Sequence, residues 1–129
     1  MLITFCTGKL HRVTVTGADI NYVGSITIDK QLMKAAGIVP SQLIHINSLS
    51  NAAHWETYAI LGEVGVICLN GCPARLFYPG DKVIIMAFAL GTHAEAAKIK
   101  QKVVHVDDKN KIIRLERNPA TPKAKAQKK

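Results

Sequence analysis

Short segments in which apolar and polar residues alternate one for one recur along this chain, and that period of two admits few folds. His11, Val13 and Val15 alternate with Arg12, Thr14 and Thr16; Leu43-Ile44-His45-Ile46-Asn47 alternates again; Trp55, Thr57 and Ala59 interleave with Glu56, Tyr58 and Ile60. Successive side chains of an extended strand point to opposite faces, so each segment reads as a half-buried strand. Lys9 and His11 share one face on this reading. Residues 2–6, ended by Gly8, residues 25–28 and residues 64–69 read as further strands. Residues 83–89 make the most apolar strand, opened by the turn Pro79-Gly80-Asp81-Lys82, and residues 103–106 and 111–115 pair as a hairpin about Asp107-Asp108-Lys109-Asn110. Asn51-Ala52-Ala53 and Asn70-Gly71 read as turns. Residues 30–36 are the one convincing helix, with Asp29 as its N-cap and Gly37 as its stop, and a small polar helix is expected over residues 94–98. Many short strands with little helix predict a closed, all-β barrel.

With 129 residues, 48% of them apolar, the chain can build one buried core. The longest apolar run, residues 83–90, is far short of the roughly 20 residues that span a bilayer. Met1-Leu2-Ile3-Thr4-Phe5-Cys6 carries no basic leader, so a cytoplasmic protein is expected. Cys6, Cys68 and Cys72 cannot all pair within one chain, and free thiols are expected. The net charge is +8, but Lys123, Lys125, Lys128 and Lys129 place half of it on residues 118–129, which carry no acid. That segment is read as a disordered basic tail, leaving residues 1–117 as the folded domain. Few aromatic residues and no basic stripe argue against nucleic-acid binding. Cys68 and Cys72 stand four apart with no second ligand pair, so no metal site is expected.

The stretch Asn21-Tyr22-Val23-Gly24-Ser25-Ile26-Thr27-Ile28 holds the candidate chemistry. Glycine leaves the Gly24 carbonyl sterically open and tolerates backbone angles other residues resist, so a strained peptide can be presented to the Ser25 hydroxyl. Attack of that oxygen on the Gly24 carbonyl exchanges an amide for an ester. Around it stand Gly8-Lys9-Leu10-His11-Arg12, Ala18-Asp19, Tyr22, Thr57-Tyr58-Ala59-Ile60 and Asn70-Gly71. In this order and spacing, from about Lys9 to about Arg117, the chain resembles the aspartate 1-decarboxylases, pyruvoyl enzymes that make β-alanine for pantothenate synthesis.

The resemblance implies a six-stranded double-psi β-barrel with short helices, assembled as a homotetramer with each site where two subunits meet. It implies self-cleavage between Gly24 and Ser25, with Ser25 becoming a pyruvoyl cofactor that captures the amine of an amino acid substrate as a Schiff base and accepts the electrons left by carbon dioxide. Whether cleavage needs a maturation factor is left open. Tyr58 corresponds to the proton donor, Thr57, Gly71, Cys72, Pro73, Lys9 and His54 to substrate-binding positions, and His11, Tyr22 and Asn70 to positions that support processing. The chain departs from the pattern where Cys72 and Pro73 replace small residues, where His54 stands for an arginine and where Asn47 stands for a common tryptophan. An arginine meets a carboxylate with two parallel hydrogen bonds and stays charged, whereas histidine offers one and loses its charge near neutrality. A pyruvoyl decarboxylase of another amino acid, or a non-catalytic barrel that binds other molecules, are the alternative readings.

Overall fold

The computed structural model describes residues 1–118, so the segment read as a basic tail lies outside the described residues except for Asn118. In order come β1 (Leu2–Thr14), β2 (Gly17–Asp19), β3 (Ile26–Asp29), α1 (Lys30–Ala36), β4 (Leu43–Ser48), β5 (His54–Gly62), β6 (Ile67–Asn70), a 3-10 turn (Cys72–Arg75), β7 (Lys82–Thr92), α2 (His93–Lys98), β8 (Gln101–Val106) and β9 (Ile112–Asn118). The strand order is β2-β6-β3-β5-β4-β7-β1-β8-β9. Only Val15 and Thr16 separate β1 from β2, and Thr16 N donates to Ile67 O at 2.8 Å. The continuous segment Leu2–Asp19 therefore joins the two ends of a six-stranded barrel made by β1 with β2, and by β3 to β7. The β8–β9 hairpin is added on the outer edge of β1. This is the expected all-β, double-psi architecture. Its parallel pairs, β2 with β6 and β3 with β5, do not occur in a barrel of simple hairpins.

The inward positions of the strands make one core. Leu10, Val13, Ile26, Ile28, Ile44, Ile46, Phe77, Ile85 and Val104 are fully buried, and Leu32, Met33 and Ala36 of α1 close over them. Each large aliphatic side chain contributes about 1.5–3 kcal/mol by leaving water. No helix among the described residues is long and apolar enough to cross a membrane.

Five sequence expectations are corrected. Gly8 does not end a strand: β1 runs through it for 13 residues, and the glycine is needed because a Cβ there would collide with Ala36 O. His11 is out of phase with Val13 and Val15, because Arg12 adopts φ 62° in a bulge between Leu10 and Val13. Leu10 takes the inward position instead, and His11 stays outside with Lys9. Residues 64–66 belong to the turn between β5 and β6 rather than to the strand. Asn70-Gly71 makes no hairpin: Asn70 ends β6 and Gly71 starts the 3-10 turn, where Pro73 loses nothing by lacking an N–H. Asn118 also proves part of β9, donating from Nδ2 to Gln101 Oε1 at 3.1 Å.

Asp29 ties the barrel wall to two neighbouring elements. Its Oδ1 accepts from Gln31 N at 2.7 Å and Leu32 N at 3.3 Å, capping α1, and its Oδ2 accepts from Gly65 N at 2.6 Å, fixing the β5–β6 turn. The residue is buried, so Asp29→Ala strands three donors away from their acceptor. The variant should lose about 2–4 kcal/mol, the scale of a lost cap plus a buried unsatisfied group, read as a lower denaturant midpoint at unchanged m.

Candidate active site

The Gly24–Ser25 peptide occupies a place where the strand geometry breaks. β3 pairs with β6 from Ile26 onward, with Ile26 opposite Leu69, and the ladder is extended by one bond from Asn70 N to Ser25 O at 3.0 Å. One residue earlier the chain leaves the sheet. Gly24 has φ 69° and Ser25 φ 82°, two consecutive left-handed residues of which the second carries a side chain. A non-glycine residue held there costs on the order of 1–3 kcal/mol and persists only where its surroundings fix it. Those surroundings are visible. Asn70 Nδ2 donates to Ser25 Oγ at 3.2 Å and to Thr27 Oγ1 at 3.0 Å, and Ser25 is only 2% exposed. Gly24 N donates to Tyr22 O at 2.9 Å, and Gly71 N to Asp19 O at 2.8 Å. Gly71, at φ 80°, packs against the backbone of Gly24: a Cβ there would sit 3.0 Å from Gly24 N and 3.1 Å from Gly24 Cα.

A cavity of about 430 Å³ opens beside this peptide, lined by Ile20, Tyr22, Val23, Gly24, Ser25, Trp55, Glu56, Thr57, Tyr58, Gly71, Cys72 and Pro73. Its position follows from a mismatch of strand lengths. β3 covers β5 only from Ala59 to Gly62, so the half of β5 from His54 to Tyr58 has a partner on the β4 side and none on the other. The loop carrying Tyr22, Gly24 and Ser25 faces that open edge. Neighbours of both parities, Thr57 with Tyr58 and Trp55 with Glu56, line the space for this reason, whereas a face-on pocket would select one parity. Tyr58 is 43% exposed, which leaves its hydroxyl accessible to a ligand.

The model of a family described as aspartate decarboxylase matches residues 1–113. The chain belongs to the aspartate decarboxylase family. A protein named aspartate 1-decarboxylase from Clostridium beijerinckii is 55% identical over 114 residues, 87% of this chain and 92% of that protein. Namesakes from Caldicellulosiruptor bescii and Bacillus cereus are 52% and 50% identical over 117 residues, covering 89% of this chain and 91% and 92% of theirs. The crystal structure of the computationally designed msDPBB_sym2 protein aligns with TM-score 0.42 and 18% identity over 66% of this chain and 99% of its own.

Within this aspartate decarboxylase fold, the residues singled out from sequence divide into two groups. Gly24, Ser25, Tyr22, Thr57, Tyr58, Gly71, Cys72 and Pro73 meet around the one cavity, with Asn70 behind Ser25. Lys9, His11 and His54 are not among the lining residues. His54 is held by Asn47 Oδ1, 2.7 Å from its Nδ1, and by Glu56 Oε2, 3.1 Å from its Nε2. Lys9 lies on the outer face in the row Lys9–Met86–His45–Glu56, three strand spacings or about 14 Å from Glu56. Ile20, Val23, Trp55 and Glu56 line the cavity without having been singled out. The open edge that recruits them depends on where β3 begins, which no local pattern encodes.

His11 sits beside β8, its ring edge-to-face with His105 at 5.3 Å and its Nδ1 buried with no hydrogen-bond partner among the described residues. Burial, followed by the charges of Lys9, His105 and Arg12, lowers its pKa below the ordinary 6.5, and only Glu116 opposes this. The folded state thus binds its proton less readily than the unfolded chain. The resulting stability is present above pH 6.5 and is lost as pH falls from there toward the folded pKa. A histidine NMR titration should place His11 below 6.5, and Glu116→Gln should move it lower still. A midpoint that rises in the Glu116→Gln variant would contradict the assignment of charges around it.

Proposed function

We propose that this chain makes its own pyruvoyl group from Ser25 and uses it to convert L-aspartate to β-alanine and carbon dioxide, supplying pantothenate synthesis in the cytoplasm. The observation that carries the reading is the pair of left-handed residues at Gly24–Ser25, buried against Asn70 at the edge of a cavity. Strain in the peptide raises its energy relative to an ester, and Asn70, by donating to Ser25 Oγ, holds the oxygen in place and leaves the serine proton free to depart. Ser25 Oγ bonds to the Gly24 carbonyl carbon, the C–N bond breaks and the amine takes a proton. Elimination of the Gly24 carboxylate then leaves a dehydroalanine, which water converts to the ketone with release of ammonia.

The site fits such a group. Residue 25 borders the cavity, its carbonyl is already fixed by Asn70 N at 3.0 Å, and Gly71 presents no side chain against the backbone of Gly24. When formed, the pyruvoyl group supplies an electrophilic ketone and an electron sink. The chain itself supplies the rest. Tyr58, a phenol whose O–H can donate, is the group we assign to return a proton to the carbon that loses carbon dioxide. Thr57 offers a hydroxyl to the substrate, and Gly71 with Cys72 and Pro73 form the opposite wall. Lys9 and His11 lie too far from Ser25's cavity to serve it, so we place them in the site of an adjoining subunit of a homotetramer, with their outer face turned to its cavity.

Ser25→Ala removes the attacking oxygen and should give a folded, uncut and inactive protein by mass spectrometry, whereas the wild type should yield fragments ending at Gly24 and starting at a blocked residue 25. Splitting of the alanine variant at the normal site would end the proposal. Incubating the purified wild type alone also tells spontaneous cleavage from cleavage that needs a maturation factor. Tyr58→Phe should still split its chain but turn over substrate roughly 10²-fold more slowly, the usual scale for a lost general acid. Turnover near the wild-type rate would assign the proton to another group.

A further inference from the structure

On the outer face of the β4–β5 ladder, four polar side chains form a two-by-two array. His45 stands opposite Glu56 and Asn47 opposite His54. Glu56 uses both oxygens: Oε1 lies 3.3 Å from His45 Nε2, and Oε2 lies 3.1 Å from His54 Nε2. Two imidazoles and one carboxylate are the donor set of three-ligand zinc centres. For bonds of about 2.0–2.2 Å in a tetrahedron, neighbouring donors stand roughly 3.3–3.6 Å apart, so the 3.3 and 3.1 Å separations here need only open slightly to admit an ion. One donor atom from each of the three residues lies within 4.8 Å of the other two.

The ring nitrogens strengthen the case. Asn47 Oδ1, 2.7 Å from His54 Nδ1, accepts a hydrogen from that nitrogen and so directs Nε2 toward the Glu56 carboxylate, 3.1 Å away. At 3.1 Å the nitrogen and the carboxylate oxygen are held together by a positive species between them, a proton or a metal ion. A second acceptor on the far nitrogen is the arrangement that orients metal-binding histidines. The rings are also held by packing, His45 against Phe88 at 4.6 Å and against His54 at 5.3 Å. The three donors are open enough for an ion to enter, with side chains 27%, 46% and 52% exposed.

We propose that His45, His54 and Glu56 form a divalent transition-metal site of the zinc class, supported by Asn47 and placed at the rim of the candidate active-site cavity, which Glu56 also lines. A cation there offsets the one acid on that wall and keeps a coordination position for water or a carboxylate. The site rests on the ladder geometry and is independent of whether the chain cleaves itself.

The test is calorimetric titration of Zn²⁺ into the full-length chain without an affinity tag, with Co²⁺ absorbance as a second readout. One equivalent of Zn²⁺ should bind per chain. His45→Ala and Glu56→Gln should each weaken binding at least tenfold, Asn47→Ala about tenfold, the low end of the loss for an orienting partner, and His93→Ala not at all. The Co²⁺ spectrum should be that of four-coordinate nitrogen and oxygen ligands. No saturable binding would reduce the array to hydrogen bonds between strands. Binding that survives His45→Ala, or a thiolate charge-transfer band from Cys68 or Cys72, would also overturn the assignment. None of these readouts involves turnover, so a negative result leaves the decarboxylase reading untouched.

Discussion

The double hold of Asn70 on residue 25 is the constraint on which the site depends. Its backbone N–H keeps the Ser25 carbonyl in the β3–β6 ladder while its side chain fixes the hydroxyl, so one end of the serine is bound to a rigid sheet. The strain has to fall on the other end, at the bond to Gly24. A left-handed serine in a free loop would relax to a commoner conformation. Here relaxation would break a buried ladder bond and leave an amide without its partner, a cost similar to the strain itself. Burial of Asn70, with its Nδ2 shared between Ser25 and Thr27, makes that hold stiff.

How much of this was legible depended on whether the cause was local. Asp29 before Lys30 and Gly37 after Ala36 carry the boundaries of α1 in their own side chains and backbone, and both act as expected, Asp29 as a cap and Gly37 at φ 73°. The alternation of Leu43–Ser48 and His54–Gly62 likewise gave a hairpin, because the period of two is imposed by the strand itself. The errors lie where tertiary contact decided. Gly8 looks like a strand end until α1 is known to press against it, and Asn70-Gly71 looks like a hairpin turn until Asp19 and Ser25 are seen to claim both backbone N–H groups. The extra residue at Arg12, which reverses which of His11 and Leu10 faces inward, has no signature in a chain of alternating residues.

The candidate site was legible as a list of residues but not as a shape. Motif positions gave Ser25, Thr57, Tyr58 and Gly71, and the cavity does gather them. The sequence did not reveal that Asn47 and His54, two departures noted separately, are cross-strand partners 2.7 Å apart. Residues seven apart along the chain become neighbours only through the register of the β4–β5 hairpin. The same register sets Glu56 between His45 and His54, at the rim of the cavity beside Ser25.

The way β1 and β2 are woven into the barrel bears on what a cut at residue 24 leaves behind. The first 24 residues carry β1, which is bonded to β7 and β8, and β2, which is bonded to β6, while the new end at residue 25 stays in the β3–β6 ladder. Neither piece would have reason to leave. Leu10, Val13 and Val15 of the small piece fill the core of the large one. A molecule split there would be a complex of two chains within one barrel, governed by mass action. Its unfolding releases two molecules where the precursor releases one, so its midpoint rises with protein concentration. Recovery after denaturation then slows on dilution, and the fold is easier to reach before the cut than after it.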